Sequence, residues 1–210
     1  MKDNPYLWMG RYASAFARHD WDGLKKLALR AGRAGVSSPQ LYELTLQGYL
    51  FLGFPAAIEA LGTLDGLVPP AQKRRELSLF LRVKKGRKTC RRIYREKFSA
   101  LMEDLSQKSP ELAGWVIEEG YGKVFSRRGV SLRRRELFAA ALLSATGFPK
   151  QLFAHLRALT GFGEKPKSLA VLVREASRAL PASRQKKIEQ ALKLLRENKY
   201  SVWEVSVSSL

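Results

Sequence analysis

Two stretches of the chain, SPQLYELTLQGYLFLGFPAAIEAL over 38–61 and SLRRRELFAAALLSATGFPKQLFAH over 131–155, carry the same punctuation. Ser38 aligns with Ser131, Glu43-Leu44 with Glu136-Leu137, and Gly53-Phe54-Pro55 with Gly147-Phe148-Pro149, with one residue inserted before the last anchor. Each copy reads as a helical hairpin: a serine start signal, a helix, a glycine that ends it and a proline that opens the next helix. A hairpin used twice makes the expected fold all-α, an orthogonal helical bundle of two related halves. Past the turn Ile58 aligns with Leu152 and Ala60 with Ala154, but His155 falls opposite Leu61.

On the N-terminal side, 5–18 and 20–33 read as amphipathic helices, the second capped by Asp20. Trp8, Tyr12 and Phe16 recur at helical spacing and are expected in the core. Ser38-Pro39 starts a helix that runs to Gly53, a short helix follows Pro55, and Gly66 to Pro70 is a break. Beyond it 72–105 is helical with an interruption at Gly86, 110–120 is a helix with Trp115 on its apolar side, and 120–129 is a loop. Ser131 caps the next helix, helices start at Pro149 and Pro166, and Ser183 caps a last one bearing Ile188, Leu192 and Leu195. Trp203, Val205 and Val207 alternate with polar residues in the tail, as in an extended arm or an intermolecular contact. The expected organisation is an N-terminal half over 1–70, a helical unit over 71–182, and a final helix and tail over 183–210.

A content of 45% hydrophobic residues over 210 positions is enough to bury a sizeable core. Cys90 is the single cysteine, which excludes an internal disulfide, a CxxC redox centre and a cysteine-rich zinc site. With His19 and His155 the only histidines, no metal site is expected. The N-terminal residues mix charges among apolar ones without a signal-peptide core, and 137–149, the longest weakly polar stretch, is too short for a bilayer span. A cytoplasmic location without membrane contact is the expectation.

His155 lies on the face of Leu152, Leu156 and Leu159 and should point inward. Such an imidazole suits general acid/base work, or it is a core histidine satisfied by a carbonyl; Leu61 at the equivalent place shows that packing alone does not require it. Glu136 lies early in the preceding helix, beside Arg133, Arg134 and Arg135, where it can tune an acid/base partner across the hairpin. Its counterpart Glu43 equally fits a structural brace.

The stretch Tyr121-Gly-Lys-Val-Phe-Ser-Arg-Arg-Gly-Val-Ser-Leu-Arg-Arg-Arg-Glu-Leu137, followed by Gly147-Phe-Pro-Lys-Gln-Leu-Phe-Ala-His-Leu-Arg157, resembles the carboxymuconolactone decarboxylase family of the alkylhydroperoxidase D-like fold. The resemblance covers roughly 86–180, with 38–66 as a degenerate second copy. It implies an all-helical homo-oligomer that acts on a small carboxylated substrate without metal or organic cofactor. His155 would handle the proton beside Glu136, with Arg127, Arg157 and Tyr121 as substrate contacts. The redox members carry CxxC where this chain has Gly147-Phe148-Pro149-Lys150, so thiol peroxidase activity is not expected. The chain departs from the family pattern at Arg128, where the family has proline, and at Leu159-Thr160-Gly161-Phe162-Gly163.

A second function class comes from charge. The chain has 38 basic and 19 acidic residues, a formal charge of +19. Lys73, Arg74, Arg75, Arg82, Lys84, Lys85, Arg87, Lys88, Arg91, Arg92, Arg95 and Lys97 crowd one segment against Glu76 and Glu96. This is either a solvated face or a surface that binds nucleic acid or another polyanion. Phe80, Tyr94 and Phe98 interleave with it; Tyr94 and Phe98, four apart, read as one buried stripe rather than as base-stacking platforms.

Overall fold

The computed structural model describes residues 2–69 and 77–197, and among them every regular element is a helix. The fold class is all-α. The helices are α1 (Pro5–Ala17), α2 (Trp21–Leu29), α3 (Ser38–Gln47), α4 (Tyr49–Thr63), α5 (Leu79–Tyr94), α6 (Phe98–Lys108), α7 (Pro110–Trp115), α8 (Leu132–Thr146), α9 (Pro149–Gly161), α10 (Pro166–Ser177) and α11 (Ala182–Arg196). The tail with Trp203, Val205 and Val207, and the cations Lys73, Arg74 and Arg75, lie outside the described residues.

Two compact units form, one from 2–69 with 133–197 and one from 77–132. The boundary near 70 is where the Gly/Pro break was expected, but no continuous unit over 71–182 forms. From 133 onward the chain packs with the N-terminal helices: α10 lies along α1, and α8 is tied to α3 by side-chain bonds.

In the first unit Asn4 caps α1 by accepting from the N–H groups of Tyr6 and Leu7 at 2.9 and 3.2 Å. Trp8, Tyr12 and Phe16 are buried as expected, and the Trp8 and Tyr12 rings stack at 5.1 Å. Asp20 caps α2 through the Gly23 N–H at 2.9 Å; α2 ends at Leu29, and a separate 3₁₀ turn follows over Ala31–Ala34. The start of α3 is capped by Ser37 rather than Ser38: the Ser37 N–H donates to Gln40 Oε1 at 3.2 Å, while the Ser38 hydroxyl donates to the Leu67 carbonyl at 2.6 Å. Likewise α11 opens from Pro181, not from Ser183.

The repeat is present in the backbone. Gly53 and Gly147 have φ of +81° and +77°, so both hairpins turn on a left-handed glycine ahead of phenylalanine and proline. In the first copy Gly53 kinks α4; in the second Gly147 separates α8 from α9. Every residue of α8 from Arg135 to Ala145 is buried, which is why its sequence shows no polar face. Among the described residues no single helix is long and apolar enough to cross a membrane; α3 and α4 reach that length together but are bent by 116°.

In the second unit α5 runs unbroken through Gly86, where an interruption was expected. A Cβ at Gly86 would lie 2.0 Å from the Ile117 carbonyl oxygen, and one at Gly122 would lie 2.3 Å from that of Arg82. The two glycines let α5 approach the π-helical segment Val116–Phe125, which occupies much of the expected 120–129 loop. Trp115 is 61% exposed, and Ala113, Ile117, Val124 and Phe125 form the buried side instead. Arg95, with φ +52°, ends α5 and puts Tyr94 and Phe98 on different helices, so they do not form one stripe.

Replacing Gly86 by alanine should therefore destabilise this unit by at least about 2 kcal/mol, because the clash is with backbone. Gly114→Ala, with nothing within 4 Å, should be neutral or stabilise α7. Thermal unfolding compares the two variants, and a parental midpoint for Gly86→Ala would show that the close approach is not needed.

Candidate active site

Glu136 sits in the second turn of α8 and His155 in the middle of α9, and the Gly147 turn folds one helix back toward the other. His155 Nδ1 lies 2.7 Å from Glu136 Oε2. Glu136 is fully buried and the His155 side chain is 11% exposed. Leu152, Leu156 and Leu159 are buried on the same face of α9, so the inward direction expected for His155 holds. Phe51, from the other hairpin, meets the imidazole edge to face at 6.4 Å.

Glu136 Oε1 is buried and has no hydrogen-bond partner among the described residues. A buried acceptor left open in this way is costly and is satisfied by a small donor such as water or a ligand hydroxyl. With Glu136 ionised, Nδ1 carries the proton of the neutral imidazole and the basic lone pair is on Nε2; a carboxylate so placed also stabilises the imidazolium. The arrangement can accept and return a proton.

The other copy of the hairpin uses its glutamate differently. Arg135 Nη2 donates to Glu43 Oε2 at 2.9 Å, with the arginine side chain 0% and the glutamate side chain 2% exposed. Gln47 closes the crossing in both directions: its Nε2 donates to the Arg135 carbonyl at 2.9 Å and its Oε1 accepts from Arg135 Nη1 at 3.3 Å. Leu61 stands at the histidine position. One glutamate braces α3 to α8, and its counterpart meets an imidazole.

The three arginines beside Glu136 do not act as one cationic cluster around it. Arg133 donates to Glu164, Arg134 to Gln40 and Arg135 to Glu43. Successive helix residues point about 100° apart, so a run of three fans out to three acceptors.

Of the remaining candidates, one lies on α9 and two in the second unit. Arg157 follows His155 by two residues on α9, so the two leave the helix on nearly opposite sides. Tyr121 and Arg127 belong to the second unit. There Tyr121 is a core residue, its hydroxyl donating to that of Tyr94 at 3.0 Å and its ring against Phe125 at 5.3 Å. Arg82 is drawn into ion pairs with Glu118 and Glu119 at 3.1 and 3.7 Å, whereas Lys84, Lys85, Arg87, Lys88, Arg91 and Arg92 are exposed on α5.

Sequence reasoning passed over Phe51 and Gln47, and placed Arg135 beside Glu136 rather than against Glu43. A lone glutamine inside the apolar run 44–54 was the one local signal of a buried polar crossing. Cys90 is buried, and among the described residues no group of three His, Cys, Asp or Glu side chains is placed to hold a metal ion. Neither protein-family models nor curated proteins match the chain.

Proposed function

We propose that the unit of 2–69 and 133–197 is a non-redox, cofactor-independent catalyst of the carboxymuconolactone decarboxylase kind, acting on a small carboxylated lactone. The observation that carries this reading is the buried 2.7 Å Glu136–His155 pair, formed in one copy of a hairpin whose other copy closes on Leu61. In the reaction the C–CO₂ bond breaks, its electron pair is delocalised into the conjugated lactone, and the carbon takes a proton from the His155 imidazolium as CO₂ leaves. Glu136 holds the ring and stabilises its charged form. The reading rests on the dyad and not on an arginine clamp, since Arg157 does not share the histidine's side of α9.

Release of CO₂ from a panel of small carboxylated lactones tests it. Turnover should fall by about 10²–10⁴-fold in His155→Ala. Turnover retained in that variant, or a parent inactive on the whole panel, would remove the reading.

Self-association goes with it. Phe54 and Phe148, equivalent residues of the two hairpins, are 69% and 51% exposed, and Ile58 is 65% exposed. A second copy of the chain would cover them. Sedimentation of a Phe54→Lys, Ile58→Lys variant should show the monomer, and a mass equal to the parent's would take this face out of the assembly. A lone buried cysteine suits a reducing compartment, and the proposed location is the cytoplasm.

A further inference from the structure

The helix α5 carries seven cations and no aspartate or glutamate. Its inner side is spoken for: Gly86, Cys90 and Ile93, at i, i+4 and i+7, are buried in the second unit. Arg82 is occupied by Glu118 and Glu119. Lys84, Lys85, Arg87, Lys88, Arg91 and Arg92 are exposed, and none of them has a carboxylate partner among the described residues. Arg91 lies over the Phe98 ring at 4.8 Å, which orients its guanidinium without neutralising it.

At 100° per residue, Phe80, Lys84, Arg87, Lys88 and Arg91 fall within an arc of about 100° and rise over about 16 Å of helix. Phe80, at the head of this stripe, is 72% exposed. An aromatic face open to solvent at one end of an unneutralised cation track is the arrangement that holds a single strand: phosphates follow the cations, and an unstacked base covers the ring. A duplex keeps its base faces inside the stack and would leave Phe80 without a partner. An anionic bilayer would call for an apolar face running the length of the helix, whereas the exposed apolar residues of α5, Leu79, Phe80 and Leu81, are confined to its first turn. The overall charge of +19 adds a long-range attraction toward any polyanion.

We propose that the outer face of α5 binds single-stranded nucleic acid, with Lys84, Arg87, Lys88 and Arg91 on phosphates and Phe80 stacked on a base. This is independent of the dyad in the other unit. The test is fluorescence anisotropy of the full chain with labelled oligo-dT, a duplex of the same length, and phosphatidylserine vesicles, over a series of salt concentrations. Four phosphate contacts predict a slope of log K against log salt of about −3 on the single strand. Phe80→Ala should weaken oligo-dT binding about tenfold at an unchanged slope, because stacking is lost and no counterion is involved. Glutamine at Lys84 and Lys88 should instead flatten the slope by about 1.4. These are exposed side chains, and circular dichroism checks that the variants keep their helices. Equal binding to duplex with no effect of Phe80→Ala, capture of vesicles but not oligo-dT, or no binding at all would each overturn the proposal.

Discussion

Glu43→Ala is expected to destabilise the first unit by about 3–5 kcal/mol, the usual cost of removing one partner from a buried ion pair. With about 2–4 °C per kcal/mol for a chain of this size, its midpoint should drop by roughly 10 °C. The reason is Arg135: its side chain is fully buried, and a guanidinium does not shed its proton, so the charge stays behind without its 2.9 Å carboxylate. Arg135→Met is the milder change, since a carboxylate, unlike a guanidinium, can be neutralised by a proton. Replacing both partners by methionine removes the charges together and should return stability to near or above the parent. Thermal and urea unfolding of the three variants gives the comparison. A Glu43→Ala protein within about 1 kcal/mol of the parent would mean that the crossing of α3 and α8 does not depend on this pair.

His155→Leu is expected to abolish turnover on the proposed lactone substrates, by about 10²–10⁴-fold. Leucine is the informative replacement because Leu61 already occupies this position in the other hairpin. On its own the change leaves Glu136 buried and unpaired, which should cost about 1–3 kcal/mol. Adding Glu136→Leu removes the stranded acceptor, and the double variant should regain the stability while remaining inactive. Glu136→Gln should keep the fold and a reduced turnover, because an amide still accepts from Nδ1 but supplies no negative charge to the imidazolium. A double leucine variant that turns over substrate would sink the proton-handling role. One that is inactive and also far less stable than the parent would make the pair a structural brace.

Much of the helical order could be read directly, because helices announce their ends locally. The glycine-phenylalanine-proline turns, the aspartate cap at Asp20 and the core stripe of Trp8, Tyr12 and Phe16 are all written within a few residues of where they act. Glycine was the misleading letter at Gly86. Read as a break, it instead permits backbone contact with Val116–Phe125, a requirement imposed by a neighbour about thirty residues away. The same limit explains Trp115 and Tyr121. For Trp115 the helical spacing was visible but the side that faces its neighbour was not, and Tyr121 was expected in a loop rather than in a packed helical segment.

The dyad shows where the line falls. Glu136 and His155 are nineteen residues apart on the two arms of one hairpin, so the repeat and the 3.6-residue period were enough to bring them together. Arg135 and Glu43 are ninety-two apart, in different hairpins, and nothing in either segment specifies the other. Local hydrogen bonding and hydrophobic period therefore settle what each hairpin is. Which buried charge finds which partner, and which arginine of three turns to which acceptor, is settled when the two hairpins are pressed together and every desolvated group must be matched.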